Sequence, residues 1–317
     1  MFMTLKIYFM IIPTIVILIL LFLIILGFIL HSSIFGRTKK LIETEDDVKG
    51  RYLEPYFKDI NQGMKWMKSQ NKEEILIKSF DGINLAGRLI DNHSDVCIIC
   101  CHGYHSYGEF DFSCIGEYYY KNGYKILIID ERAHGKSEGR FSTFGILESK
   151  DLLEWIKYID KRFTNIKILI DGISMGSSTT LYATGLELPN SVKGVIADCG
   201  FTSPFDIVKY TMNRKYHLPH FPILNFVNFA SKIRTGVKLN EYKTADALQK
   251  CKVPVFFLHG KKDSIVPYEM SIENYNAVNS YKEMYLVENA DHGVSYLIEK
   301  EVCTKKLQDF IDYCLKY

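Results

Sequence analysis

Three residues set far apart in the chain, Ser174, Asp263 and His292, are of the types that together run nucleophilic catalysis. A serine hydroxyl is a weak nucleophile until a base takes its proton. The base in turn needs an acid that holds it in the right tautomer. Ser174 is the centre of Gly172-Ile173-Ser174-Met175-Gly176, with the apolar run 166–171 before it and 177–183 after it. This reads as a buried strand, a tight turn and the first turns of a helix. Such a turn forces a strained conformation on the serine, and side chains two positions either side would clash, so glycine suits 172 and 176. The helix then aims its first N–H groups at whatever the hydroxyl attacks. A bare G-x-S-x-G is a weak signal; the flanking strand and helix give it weight. Asp263 lies in the loop 261–267 after the apolar run 253–260, and His292 in the loop 288–293 after a short strand at 285–287. The order Ser, Asp, His is the one this relay takes on α/β sheets. Asp198 also ends an apolar run and is a rival acid.

The elements that must position these residues follow from the hydrophobic pattern. Two alternating stretches, 74–79 and 83–90, flank Asp81-Gly82, a strong hairpin signal. Short apolar runs at 95–101, 125–130, 166–171, 195–198, 253–259 and 282–286 then alternate with helical stretches. That alternation predicts an α/β fold with a mostly parallel eight-stranded sheet covered by helices on both faces. Ligands of such sheets bind at the carboxyl ends of the strands, where the loops rich in Gly, His and Asp lie. One interval, about 202–250, is too long for a simple crossover and is rich in aromatics, among them Phe205 and Tyr210. We read it as a helical lid insertion over the site. Tyr107, Phe205 and Tyr210 are the candidates for substrate contact. His217 and His220 have no third ligand nearby and read as solvent or packing residues. Cys97 and Cys100 spell C-x-x-C, but on a strand residues three apart face opposite ways, so they read as core rather than as a metal or redox pair.

Five segments in order carry a resemblance: His102-Gly103-Tyr104, Asp130 to Gly139, the Gly172–Gly176 elbow, His259-Gly260-Lys261-Lys262-Asp263 with Val266-Pro267, and Asp291-His292-Gly293. Over residues 72–317 the chain resembles the α/β-hydrolases, in the single-domain serine esterase, lipase and peptidase-like branch, many of whose members carry an N-terminal membrane anchor. The resemblance implies a serine hydrolase; the sequence has no dinucleotide fingerprint and no metal-ligand spacing, so neither a cofactor nor a metal is expected. It implies Ser174, Asp263 and His292 as the catalytic triad, and the backbone N–H groups of Tyr104 and Met175 as the oxyanion hole. His102 then shapes the loop rather than acting as a base. The implied substrate is a carboxylic ester or thioester, and an aromatic lid beside a bilayer points to an acyl-chain or lipid-like one. The alternatives are a serine peptidase-like hydrolase and a non-catalytic binding protein of the same fold. Lys136-Ser137 after Gly135 is no P-loop, since that motif needs glycine where Asp130 stands.

Residues 7–30 carry no charge, and at about 1.5 Å per residue they reach roughly 36 Å, enough for a hydrocarbon core of about 30 Å. The run is too long for a cleaved signal peptide and has no small-residue exit, so it reads as an uncleaved transmembrane anchor. The expected organisation is an anchor with its basic flank at 1–40, a juxtamembrane linker with a helix (59–70) at 41–71, and the hydrolase domain at 72–317. The net charge of +2 gives no support to nucleic-acid binding. Arg37, Lys39 and Lys40 follow the run while only Lys6 precedes it, which places the domain on the cytoplasmic side of a single-pass protein. Protease added outside intact cells is therefore expected to leave an epitope at Tyr317 untouched; its digestion would reverse the orientation.

Overall fold

In the computed structural model, which describes residues 2–37 and 44–316, the chain opens with a long apolar helix, α1 (Phe2–Phe35). Helix α2 (Phe57–Ser69) leads into the hairpin of β1 (Glu73–Lys78) and β2 (Asn84–Ile90). Strands and helices then alternate: β3 (Val96–Cys101), α3 (Ser113–Lys121), β4 (Lys125–Ile129) and α4 (Ile146–Arg162). They continue with β5 (Lys167–Ile173), α5 (Met175–Ala183) and β6 (Val192–Asp198). Helices α6 (Pro204–Lys215) and α7 (Ile223–Thr235) make up most of the insertion. The chain returns through β7 (Val255–Gly260), α8 (Tyr268–Ala277), β8 (Lys282–Val287) and α9 (Lys300–Lys316).

The eight strands form one sheet in the order β1-β2-β4-β3-β5-β6-β7-β8. Only the β1–β2 and β2–β4 pairs are antiparallel. The hairpin turns where expected, with Gly82 at φ 88°, a conformation that side chains disfavour. Alternate residues of each inner strand feed two apolar layers. Cys97, Ile99 and Cys101 join Trp155, Ile156 and Ile159 of α4 on one face. Ile98 and Cys100 join Tyr119 of α3 and Phe310 of α9 on the other. Cys97 and Cys100 therefore lie on opposite faces of the sheet. Helix α2 is pressed onto α3: Met67 is buried in the second layer, and a side chain at Gly63 would overlap the Ser113 carbonyl.

The N-terminal helix runs past the expected end of its uncharged stretch. Ile11–Phe35 is long and apolar enough to cross a membrane. Large side chains such as Ile11, Leu18, Phe22, Ile25 and Ile29 face outward, whereas His31 and Phe35 are fully buried. The difference has a local cause. His31 stacks on Phe35 and meets Phe141 edge-on, with ring centroids 5.1 and 5.0 Å apart, and Phe35 packs on Phe144 at 4.5 Å. The last turns thus belong to the globular part.

Trp155 is the largest fully buried side chain and abuts Gly87 of β2. Trp155→Ala is expected to cost about 3–5 kcal/mol, read as a lower denaturant midpoint without a change in the secondary structure of the surviving fold.

Candidate active site

Ser174 joins β5 to α5 at φ 56° and ψ −113°, a strained conformation for a non-glycine residue. Its neighbours leave no room for anything larger than glycine. A Cβ at Gly172 would overlap the Gly176 carbonyl, and one at Gly176 would overlap the Cys101 carbonyl of β3. The Ser174 N–H donates to the Asp198 carbonyl at 2.8 Å, which ties the turn to β6. The hydroxyl is left at the carboxyl end of the sheet.

The loops after β7 and β8 bring the other two residues there. Lys261 and Lys262 donate backbone N–H bonds to Val287 and Ala290, and a Cβ at Gly260 would overlap the Ala290 carbonyl. Asp291 accepts at 2.8 Å from both the N–H and the hydroxyl of Ser264. Locked together in this way, the loops place His292 Nε2 2.8 Å from Ser174 Oγ and His292 Nδ1 2.7 Å from Asp263 Oδ2. Nδ1 faces a carboxylate, so it carries the proton and Nε2 is free to accept the serine's.

Asp263 is itself held by several donors. Its Oδ1 accepts the N–H groups of Ile265 and Val266 at 2.8 and 2.7 Å. Its Oδ2 also meets His259 Nε2 at 3.0 Å, and that nitrogen faces the Val266 carbonyl as well. Two acceptors at one nitrogen place a proton on Nε2 of His259, and its Nδ1 lies 2.7 Å from the Ser271 hydroxyl. Burial would raise the Asp263 carboxyl, but the charge of His292 and the bonds from both histidines outweigh it and hold it well below the usual range. Burial would likewise lower His292, and the Asp263 charge outweighs that, leaving its pKa raised. Asp198, the rival acid, is pushed up to about 8 by burial and by Asp171 nearby, and one of its oxygens has no partner among the described residues.

The loop after β3 carries the proposed oxyanion donors. His102 Nδ1 lies 2.8 Å from the Gly103 carbonyl, and its Nε2 accepts the Glu131 N–H at 3.1 Å, so it sits as a bracket under the loop. Asp111 accepts from the Gly103 N–H at 2.6 Å and from Ser106 Oγ at 2.5 Å. The Tyr104 N–H has no acceptor among the described residues. The Met175 N–H, first in its helix, has no intrahelical one. Phe205 and Tyr210 pack at the edge of an apolar cluster that includes Met175, Phe144 and Phe35. Tyr107 does not join them, because its ring lies with Ile60, Met64 and Phe110 under α2.

This architecture has counterparts. A family model described as the alpha/beta hydrolase fold matches residues 96–222. The structure of the Pyrococcus furiosus esterase Pf2001 covers 78% of this chain and 93% of its own, with a TM-score of 0.65 at 25% identity. The chain has the α/β-hydrolase fold. This hydrolase is also 28% identical over 290 residues to the uncharacterized protein YqkD of Bacillus subtilis, which covers 89% of this chain and 90% of that one. The esterase EaEST of Exiguobacterium antarcticum shares the fold at a TM-score of 0.56 and 20% identity, over 76% of this chain and 99% of its own.

Three neighbours of the site carried no sequence signal of their own. Tyr52 presents its ring edge-on to His292 with centroids 6.2 Å apart. Cys199 Sγ lies 4.0 Å from His292 Nε2. Asp111 braces the β3 loop from a short helical turn, and only tertiary folding aims its carboxylate. Cys199, Asp263 and His292 keep their ligand atoms within 4.8 Å of one another. A metal there would have to displace Ser174 from His292 and ionise a thiol that burial and Asp198 hold well above its ordinary value. The donor set fits a proton relay better.

His292 must be neutral to take a proton, and its pKa lies above the ordinary 6.5. Fluorophosphonate labelling of Ser174 is therefore expected to fall off as pH drops, with a midpoint above 6.5. Asp263→Asn removes the charge that raises it and should move the midpoint down while cutting the rate by about 10⁴-fold.

Proposed function

We propose that this hydrolase is a membrane-anchored serine enzyme that cleaves a carboxylic ester or thioester by way of an acyl-enzyme. The observation that carries the reading is the continuous contact from Ser174 Oγ through His292 to Asp263, 2.8 and 2.7 Å long. His292 Nε2 takes the hydroxyl proton as Ser174 Oγ attacks the acyl carbon. The Asp263 charge stabilises the imidazolium that forms. The developing oxyanion is received by the N–H groups of Tyr104 and Met175, each such donor being worth about 10²–10³ in rate. His292 then returns the proton to the leaving alcohol or thiol, and the ester bond breaks. Water enters, gives its proton to His292 and attacks the acyl-serine; collapse restores the hydroxyl and releases the acid.

The nucleophile is Ser174 rather than Cys199, because burial keeps that thiol protonated. The aromatic insertion, with Phe205 and Tyr210 facing the Met175 cluster, supports an apolar acyl portion. The N-terminal helix, by its length and composition, supports anchorage, and the basic residues that follow it, Arg37, Lys39 and Lys40 against Lys6 before it, support a cytoplasmic domain. Esterases among the similar solved structures favour an ester over a peptide.

Ser174→Ala and His292→Ala are each expected to lower hydrolysis of a p-nitrophenyl ester by about 10⁴–10⁶-fold, with the circular dichroism spectrum retained. Full turnover by purified Ser174→Ala would remove this mechanism. Faster turnover of matched anilides than of esters would favour the peptidase alternative.

A further inference from the structure

The insertion does not simply roof the site; it lies alongside the apolar N-terminal helix. Phe226 of α7 meets α1 so closely that a Cβ at Gly27 would sit 2.7 Å from the Phe226 backbone. The Phe229 ring lies edge-on to Phe28 at 6.4 Å. Further along, Arg234 Nη1 donates to the Phe28 carbonyl at 2.8 Å and to Ser32 Oγ at 2.7 Å. The two helices therefore run side by side in the same sense. The start of α7, level with Gly27, lies about 7 Å nearer the middle of α1 than Ser32 does, at 1.5 Å per residue.

That inner end is apolar and open: Phe221 is 68% exposed, with Tyr216 and Leu218 also exposed, while at the outer end of α7, beside Arg234, Ile233 is 62% exposed. An open recess of about 290 Å³ between the helices is lined by Ile24, Asn225, Phe226 and Phe229. On α1 itself, Ile25 and Ile29 are also exposed at this level. The charges near this face are mostly basic, with Glu241 3.9 Å from Lys232 as an exception. Between positions 207 and 240 there is no Asp or Glu, while Lys209, Arg214, Lys215, Lys232, Arg234 and Lys238 occur. Apolar and aromatic side chains ringed by cations match the acyl–headgroup boundary of an anionic leaflet, into which interfacial helices sink about 5–10 Å.

We propose that α7 and the 216–221 segment are embedded in the leaflet where α1 ends, and that the hydrolase draws its substrate sideways from that leaflet. The substrate class is then an amphiphilic ester held in the bilayer by its own acyl chain. This rests on the anchored-hydrolase reading. One apolar cluster, in which Phe35 and Leu30 of α1 and Leu224 and Val227 of α7 lie with Met175 at the elbow, joins that face to the site.

The test uses the full chain in vesicles of phosphatidylcholine and phosphatidylglycerol, with and without doxyl-labelled lipid. Leu18→Trp reports on the anchor, and Phe221→Trp and Ile233→Trp report on the insertion. The expected result is quenching of the added fluorescence in all three. Quenching of Leu18→Trp alone would overturn the embedding while leaving the anchor intact; quenching of none would remove both. Protection of Phe221→Trp that depends on protein concentration rather than on doxyl lipid would assign the face to a second copy, and also overturns the proposal. Independently, Phe221→Ser with Ile233→Ser should lower hydrolysis of a long-chain ester in vesicles by about tenfold or more and leave p-nitrophenyl acetate turnover unchanged. Equal turnover of the vesicle ester would refute sideways entry.

Discussion

Ser174 is held in a conformation that serine avoids, and its hydroxyl reaches the carboxyl edge of the sheet only while that conformation lasts. The strain must be matched by contacts that leave the turn nowhere else to go. They come from three directions. Gly176 lies against the β3 backbone, Gly172 lies against Gly176, and the Ser174 N–H is bonded to the end of β6. Each contact depends on a strand being in register, so the parallel pairing of β3, β5 and β6 is what the site stands on. The two apolar layers, with Trp155 on one face and Phe310 on the other, hold that register.

Electrostatics selects which buried acid stays charged. Asp171, Asp198 and Asp263 all lie near the elbow and out of water. Among the described residues Asp171 has a single side-chain donor, the Tyr119 hydroxyl at 2.7 Å, and burial pushes it up to about 7. Asp198 is pushed higher still. Asp263 alone receives two backbone N–H groups and two imidazoles, and it alone falls below the ordinary carboxylate range. The same fold thus keeps one anion opposite His292 and tends to neutralise its competitors, the condition under which a serine–histidine relay carries a proton in one direction.

Much of this was legible in the sequence because it is local. The elbow, the Asp81-Gly82 hairpin and the alternation of strands and helices each depend on residues a few positions apart. The parts that were not legible depend on long-range placement. Asp111 looks like any helix-start acid until the β3 loop folds over it. Tyr52 sits in a stretch with no periodicity and reaches His292 only because α2 docks on α3. Tyr107 is a candidate substrate contact by sequence, yet its ring finds an apolar seat under α2. The uncharged stretch at the N-terminus was visible, but not that its last turns would be claimed by Phe141 and Phe144.

Those last turns also bear on how the protein is handled. The Tyr104 hydroxyl donates to the Ile34 carbonyl, and the Arg37 guanidinium grips the carbonyls of Gly135 and Ser137 at 2.6 Å each. Trimming the chain at residue 40 to obtain a soluble fragment would therefore do more than cut a leash. It would pull a plug: Phe144 and Met175 would lose Phe35, the 135–139 loop would lose its clasp, and the vacated seat would offer bare hydrocarbon to water beside the nucleophile.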